Sequence, residues 1–314
     1  MPLRAQSGLS GLVTPAVSTL PSAGAAGLAG LRVLVGLMWL YNVVWKRPPD
    51  FGEDSGTSVY GFSQDAVEYP VFPPYSWLVE NLVLPSFPAF GWMVLVVETM
   101  LAVLLLTGTL VRLAALVGVA QSLAIGLSVA QTPGEWPWSY WLMIGAHGLL
   151  LVSSAGRVFA VDAVRARLAP ARSIALPWGL IAVVVGAVSI LRSLDDPTAA
   201  RGPGLRSTDL SVSLGEYNLV GGVVLAAAGA LLLVAATSRA VRGAAWVGAV
   251  VAVIGGLSLH AQIGFSDPLL GGTATSAAVL FSVALVAVTV AAARSPQMST
   301  PVEDTRVPTE GDTR

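Results

Sequence analysis

Residues 91–108 read GWMVLVVETMLAVLLLTG, an apolar run whose length and composition decide the fold of this chain. An α-helix that crosses a bilayer needs about 20 mostly apolar residues. Glu98 lies in the middle of the run and is the only acidic residue inside any apolar stretch of the chain. Because a charge at mid-membrane costs roughly 3 kcal/mol on insertion scales, we expect Glu98 to be paired or functional.

The composition indicates a multi-pass membrane protein. Of the 314 residues, 54% are hydrophobic and 11% are charged, and the mean hydropathy is +0.74. A soluble domain has about 25% charged residues. The net charge of −1 provides no broad basic surface, so we expect membrane lipid and not nucleic acid around this chain.

The chain contains no cysteine. This excludes disulfides, thiol nucleophiles and cysteine-ligated iron–sulfur clusters. The only histidines are His147 and His260. His260 is predicted near the outer end of its span, well above His147, so the two would hardly share one haem iron, and we expect no metal.

Eight stretches predict transmembrane helices, and the expected fold class is an all-α polytopic membrane protein. The predicted spans are 26–45, 88–108, 111–130, 138–156, 174–192, 217–237, 243–262 and 272–293. Excess arginine and lysine marks cytoplasmic segments. With the N-terminus inside, eleven basic residues fall in cytoplasmic segments and five in outer loops. We therefore predict a plasma-membrane protein with both termini in the cytoplasm.

The spans fall into two halves whose layouts are similar at the level of hydropathy, which indicates either a parallel repeat or independent helices with coincidental spacing. Each half has one span, a long outer loop, a pair of spans joined by an arginine-bearing turn, and a last span. The predicted division is a tail at 1–25, a four-helix module at 26–168, a second four-helix half at 169–293 and a tail at 294–314. Both tails are expected to be disordered and cytoplasmic, and the first resembles a cleavable signal only weakly because prolines interrupt its apolar core.

The long outer loop, 46–87, contains a second predicted element. Its acidic, turn-rich part PPDFGEDSG (48–56) is followed by PPYSWLVENLVLPSF (73–87). Prolines suit the start of this segment as a helix and Pro85 its end. The helix is too short to span a membrane, so it is predicted to lie at the interface. It would serve either as a lid over an outer site or as an anchor.

The first four spans each carry a deep polar residue. At 1.5 Å per residue, Glu98, His147 and Gln121 lie at similar depths near the midplane. Arg32 lies a turn or two above the cytoplasmic end of the first span, from where it could extend inward or reach Glu98. Asn42 lies nearer the outside on the same span.

Two interpretations of this polar set remain open. In the first, Arg32 pairs with Glu98, while His147 and Gln121 form hydrogen bonds between helices. In the second, Glu98, His147 and Arg32 are catalytic and exchange protons with a quinone head group. Asn42, Lys46, Gln121 and Arg112 are then the candidate residues for binding substrate or quinone.

Three motifs resemble the DoxX/DoxD family. LRVLVGLMWLYNVVWKRPPDFG (31–52) resembles the first helix of that family, and ETMLAVLLLTGTLVRLAA (98–115) its second helix and turn. SSAGRVFAVDAVRARL (153–168) is similar to the end of its fourth helix. The resemblance covers about residues 26–168, half of the chain.

The resemblance implies a four-helix membrane module of the DoxD type, a subunit of thiosulfate:quinone oxidoreductase. Such a subunit passes electrons from an outer sulfur substrate to membrane quinone, with a possible partner redox subunit. The alternative, from a different class, is a non-catalytic scaffold or small-solute carrier in which the buried polar residues are structural. The resemblance does not account for residues 169–293.

Overall fold

The computed structural model describes residues 9–15, 21–56, 58–206, 211–237, 241–263 and 268–293. Within these ranges the regular structure is helical apart from one small hairpin. Its elements in order are α1 (Ser10–Val13), α2 (Ser22–Asn42), α3 (Ser58–Glu68), α4 (Pro73–Leu78), a π-helical turn (Val79–Val83), a 3₁₀ turn (Leu84–Ser86), α5 (Phe87–Thr107), α6 (Val111–Val129), α7 (Trp138–Val152), α8 (Val161–Arg165), α9 (Arg172–Arg192), β1 (Gly204–Arg206), β2 (Ser211–Ser213), α10 (Leu219–Thr237), α11 (Gly243–Ala261) and α12 (Ala274–Ala292).

Within the described residues, seven helical segments are long and apolar enough to cross a membrane. They are α2, α6, α9, α10, α11, α12 and the continuous stretch Pro73–Thr107 that contains α5. The remaining predicted span, 138–156, forms α7, which has 15 residues. Since α7 is about 22 Å long at 1.5 Å per residue, it is shorter than a usual crossing. By helix length and composition the chain is a multi-pass membrane protein.

The helical path through the long loop differs from its sequence-based prediction. The segment predicted to end at Pro85 continues through the π and 3₁₀ turns directly into α5. Pro85 lies in the 3₁₀ turn, where the chain changes helix type without stopping. The helix α3 precedes it and was not predicted. Its eleven residues are less apolar than a span, so hydropathy does not reveal it.

The predicted tail 294–314 lies wholly outside the described residues, and the predicted tail 1–25 lies partly outside them. Where the first tail is described, α2 begins at Ser22, within the predicted tail 1–25. This small-residue stretch extends the helix of the first span.

One helix, α12, lies at the centre of the bundle and is its most buried span. It packs against α2, α5 and α8 from the first half and against α9, α10 and α11 from the second. The Thr275 hydroxyl donates a hydrogen bond to the Leu40 carbonyl at 3.5 Å, which ties its first turn to the end of α2. The core of small residues along α12 therefore joins the two predicted halves.

The bundle has two chemically different ends. At one end of the bundle α12 ends and α6, α9 and α11 begin, and we call it the basic end. It carries Arg112, Arg165, Arg167, Arg172 and Arg242. We call loop end the opposite one, where α12 begins and the segments 43–86 and 193–218 lie. At the loop end a second apolar cluster packs Phe51 against Val43, Phe87 and Leu95.

The antiparallel helices α9 and α10 approach each other through paired glycines. A Cβ on Gly186 would lie 2.7 Å from the Gly222 carbonyl oxygen, and one on Gly229 would lie 2.8 Å from the Gly179 carbonyl oxygen. Two glycines seven residues apart on each helix therefore bring the backbones into direct contact. Small residues have this role in membrane helices generally.

We expect Gly186→Ala to lower the free energy of unfolding by about 1–3 kcal/mol, because backbone atoms that cannot rotate away block the added methyl group. Gly145→Ala in α7 is the matched control, since among the described residues nothing lies within 4 Å of the position that its Cβ would take. The control should gain up to about 1 kcal/mol from helix propensity. Unfolding in mixed detergent micelles measures both, and equal effects would contradict the packing argument.

Candidate functional site

Glu98 forms a buried ion pair with Lys46. Its Oε2 lies 2.6 Å from Lys46 Nζ, and both side chains are 2% exposed or less. Glu98 comes from the middle of α5, while Lys46 directly follows the turn at 43–45 that comes after α2. The ammonium group of Lys46 thus reaches down from the loop end to the carboxylate. Such a pair offsets the cost of two buried charges only when each partner is well coordinated.

Lys46 has two further contacts that hold its ammonium group in place. It donates a hydrogen bond to the Asn42 carbonyl at 2.8 Å. Its Nζ also lies 3.8 Å from the centre of the Trp45 ring, a cation–π distance. Trp45 in turn donates to Asn42 Oδ1 at 3.3 Å. The end of α2 therefore builds one wall of the site.

The second carboxylate oxygen of Glu98 is bound from α6. Gln121 Nε2 donates a hydrogen bond to Glu98 Oε1 at 3.2 Å. Glu98 is thereby shared between a cation on one side and an amide on the other. Gln121 keeps its own carbonyl oxygen as an acceptor.

These residues form the deep wall of a cavity of about 370 Å³. Most of its lining is apolar. Its polar residues are the bonded set Lys46, Glu98 and Gln121, the hydrogen-bonded pairs Tyr75–Ser128 and Tyr140–Glu135, and Asn42 and Ser63. The full lining comprises Asn42, Trp45, Lys46, Val59, Phe62, Ser63, Tyr75, Leu78, Val83, Phe90, Met93, Val94, Glu98, Gln121, Ala124, Ile125, Ser128, Val129, Glu135, Tyr140 and Met143. Its size and composition are those of small-molecule sites.

The segment predicted as lid or anchor forms part of the cavity wall. Tyr75, Leu78 and Val83 line it, and the Tyr75 hydroxyl bonds the Ser128 hydroxyl at 2.9 Å and the Ala124 carbonyl at 3.2 Å. These bonds hold α4 against α6. The segment therefore forms one side of the cavity, and its exposed tryptophan, Trp77, is not part of the lining.

Arg32 does not pair with Glu98, contrary to the first interpretation. Its guanidinium donates to the Leu105 carbonyl at 2.9 Å and to the Phe159 carbonyl at 2.7 Å. Both acceptors lie at the basic end, where the last carbonyls of α5 have no partner within their own helix. Arg32 extends toward the nearer end of its span and stabilises the end of α5, while Lys46 supplies the counter-ion.

His147 is also separated from the cavity. Trp39 Nε1 donates to His147 Nε2 at 2.9 Å, so Nδ1 carries the proton and donates to the Met143 carbonyl at 2.7 Å. Both ring nitrogens of this fully buried, neutral imidazole are therefore occupied. Similar depth did not bring His147 and Glu98 together, because depth leaves open which way a side chain points around its helix.

We expect His147→Leu to lower the free energy of unfolding by about 1–3 kcal/mol, because the buried Trp39 N–H loses its acceptor. The double variant with Trp39→Phe removes the donor as well and should recover part of that loss. Thermal unfolding in detergent measures both. Affinity for quinone, the ligand predicted from the sequence, should stay unchanged in these variants, and its loss without a loss of stability would restore His147 as a site residue.

Four of the seven predicted site residues meet in this cavity: Glu98, Lys46, Asn42 and Gln121. His147, Arg32 and Arg112 lie outside its lining. Arg112 is at the start of α6, nine residues before Gln121, or about 14 Å along the axis.

Sequence reasoning missed several polar residues of the cavity. Ser128 lies seven residues after Gln121, two helical turns along the same face of α6, so this pair was accessible to a periodicity argument. Glu135 accepts a hydrogen bond from the Tyr140 hydroxyl at 2.5 Å, and both come from around the start of α7. Tyr75 and Ser63 lie on elements whose packing the sequence does not specify.

Comparisons with protein-family models, with curated proteins and with solved structures found no match to this chain.

Proposed function

We propose that this chain is the membrane subunit of a quinone-linked oxidoreductase and that a quinone head group binds in the cavity beside Glu98. The observation that carries the proposal is the buried Lys46–Glu98 pair, with Gln121 bonded to it, in a cavity whose lining is mostly apolar. A quinone has the complementary chemistry, since its ring is apolar and its two carbonyl oxygens accept hydrogen bonds. Lys46 and Gln121 are donors placed to bind one carbonyl.

The reaction in this proposal is the two-electron, two-proton reduction of quinone to quinol. The electrons come from an outer donor, for which the DoxD resemblance suggests a sulfur compound such as thiosulfate, through contact with it or with a partner redox subunit. Both protons come from water: Glu98, a carboxylate in the ion pair, accepts each proton in turn and passes it to a reduced quinone oxygen, the acid–base role of a positioned carboxyl group. Lys46 stabilises the negative charge that develops there.

The walls of the cavity support an isoprenoid ligand. Phe62, Leu78 and Met93 line it and are each more than two-fifths exposed. Exposed apolar side chains that also line a cavity provide a path for a lipophilic tail between the site and the bilayer. Quinone would therefore enter laterally from the membrane.

For the topology we propose eight spans, with α7 as the shortest, in the plasma membrane and with both termini in the cytoplasm. The basic end then faces the cytoplasm, as the excess of arginine there favours. The DoxX/DoxD resemblance over residues 26–168 remains part of this proposal, and Arg32, Leu105, Gly108 and Asp162 of its motifs lie together at this end. The Asp162 N–H donates to the Gly108 carbonyl at 3.0 Å.

A double variant tests the proposed site. Lys46→Met with Glu98→Gln removes both charges together, so the protein should fold with near-normal yield. Quinone reduction by the purified complex should fall by about 100-fold or more, the usual contribution of a positioned acid. Glu80→Gln is the matched control. Glu80 lies on the same continuous helical segment as Glu98, Pro73–Thr107, but its carboxylate is exposed and is not part of the cavity lining. Unchanged reduction in the double variant would refute the assignment.

The alternative function, a structural scaffold or small-solute carrier, is favoured by one observation. Both charges of the Lys46–Glu98 pair are satisfied within the protein. In that case purification with native partners would yield no bound quinone, and the double variant would behave like the wild type in every functional assay. Quantifying quinone in organic extracts of the purified protein separates the two functions.

A further inference from the structure

A second cavity lies at the basic end, between α8 and the end of α12, and nothing in the proposed function uses it. Its volume is about 410 Å³. It is lined by Val164, Arg165, Arg167, Val288, Thr289, Ala292 and Ala293. The cavity therefore combines two arginines and a hydroxyl with an apolar wall from a transmembrane helix.

Arg167 occupies a backbone position that favours glycine. Its φ is +59°, in the left-handed region. The Arg167 N–H donates to the Val164 carbonyl and the Leu168 N–H to the Ala163 carbonyl, at 3.0 and 2.9 Å. This is the Schellman pattern that ends a helix, in which glycine is usual at the left-handed residue. An arginine at this position costs about 1–2 kcal/mol of folding free energy. We therefore expect the Arg167 side chain to have a function that offsets this cost.

The Arg167 side chain is free for a ligand. It is exposed, and within the described residues its guanidinium has no hydrogen bond or ion pair. Arg165 is more firmly held, since it donates to Asp162 Oδ1 at 2.8 Å and to the Val13 carbonyl at 3.3 Å. Asp162 balances the charge of Arg165, which leaves the charge of Arg167 without a counter-ion among the residues that the structure describes.

The carbonyl groups at the end of α12 would ordinarily repel an anion. Here Arg242 donates a hydrogen bond to the Ala293 carbonyl, which offsets that repulsion. Thr289 also lines the cavity, but its hydroxyl donates to the Leu285 carbonyl at 2.8 Å, so the two arginines are the donors for a ligand. The electrostatic surroundings therefore suit a negatively charged group.

We propose that this cavity binds the phosphate group of an anionic phospholipid, with Arg167 and Arg165 on the phosphate and the acyl chains along Val164, Val288 and Ala292. Arginine forks match phosphate oxygens in geometry and charge. Basic pockets between membrane helices on the cytoplasmic side bind lipid head groups in this way. The apolar wall favours a lipid over free phosphate, which shares the same chemistry.

The test replaces the strained arginine by the residue that its backbone prefers. Delipidated wild-type protein and Arg167→Gly are titrated in neutral detergent with short-chain phosphatidylglycerol, with phosphatidylcholine and with sodium phosphate, and the shift of the melting temperature is followed. Arg167→Gly should melt no lower than the wild type without lipid. Its apparent affinity for phosphatidylglycerol should fall by about tenfold, the usual loss for a charge-assisted contact.

The control is Arg172→Gln, which removes one positive charge at the same end but outside the cavity lining. It should keep wild-type affinity. If Arg167→Gly has a lower melting temperature than the wild type without lipid, the same titrations are done with Arg167→Asn, because asparagine also tolerates the left-handed region. A shift with sodium phosphate as large as with phosphatidylglycerol assigns the site to free phosphate. Equal phosphatidylglycerol affinity in wild type and variant, or equal affinity for phosphatidylcholine, overturns the proposal.

Discussion

Lys46→Met is expected to lower the free energy of unfolding by about 3–5 kcal/mol, the usual cost of removing one partner from a buried ion pair. The loss arises because Glu98 remains behind at 1% exposure with only the Gln121 amide as a partner. Glu98→Gln should have an effect of the same kind, since Lys46 is then the uncompensated charge. Unfolding in mixed micelles, at a pH near neutrality, measures both variants.

Combining the two substitutions should recover most of the loss, because no charge then remains buried. Replacing a whole buried pair is often nearly neutral. The double-mutant cycle therefore measures a coupling energy of several kcal/mol between Lys46 and Glu98. The matched control is Arg47→Met, since the neighbouring Arg47 is exposed and its loss should change stability by no more than about 0.5 kcal/mol.

Two results would contradict this account of the pair. If the single effects simply add in the double variant, Lys46 and Glu98 do not interact in the folded protein. If Lys46→Met is harmless while the cost of Arg32→Met falls by several kcal/mol once Glu98 is replaced by glutamine, Arg32 is the counter-ion after all. In either case the cavity would lose its charged wall, and the quinone proposal would lose its basis.

The transmembrane helices could largely be predicted from the sequence. Each of the eight predicted spans corresponds to an observed helix within a few residues at either end, because long apolar runs permit few alternatives. Within the described residues, seven helical segments are long and apolar enough to cross a membrane, and the shorter α7 is not among them. The polar connecting segments were harder. The amphipathic helix α3 and the π-helical turn before α5 depend on packing against the cavity, which hydropathy does not describe.

The candidate site could be predicted only in part. Depth along a span follows from residue counting, and it correctly placed Glu98 and Gln121 at one level. Depth does not determine which side of a helix faces which neighbour, so His147 at a similar depth bonds to Trp39 instead. The counter-ion was missed for a related reason. The helix α2 ends at Asn42, and the following turn returns Lys46 toward the bundle.

Arg32, the arginine of the first DoxX/DoxD-like motif, is a buried charge that lies outside the cavity and stabilises the packing at the basic end. It is fully buried and bonded to carbonyl groups at the end of α5 and at Phe159. Asp162 lies in the same region and accepts hydrogen bonds from the N–H groups of Leu110 and Val111, at 3.1 and 3.2 Å. These bonds join the end of α5 and the start of α6 to the segment after α7.

Gly108 makes this arrangement possible, and Gly108→Ala is expected to lower the free energy of unfolding by about 3 kcal/mol or more. Its φ is +68°, and an added Cβ would lie 2.0 Å from Arg32 Nη1 and 2.5 Å from the Ala160 Cβ. The substitution therefore adds backbone strain and also displaces the guanidinium from the Leu105 carbonyl.

The control Gly56→Ala separates these two effects. The φ angle at Gly56 is +65°, and among the described residues nothing lies within 4 Å of the position that its Cβ would take. That control should show only the strain of about 1–2 kcal/mol. Unfolding of both variants in mixed micelles gives the difference, which is the contribution of the Arg32 contact. Equal losses in the two variants would mean that Arg32 moves aside without cost and that the cluster at the basic end does not hold α5, α6 and the segment after α7 together.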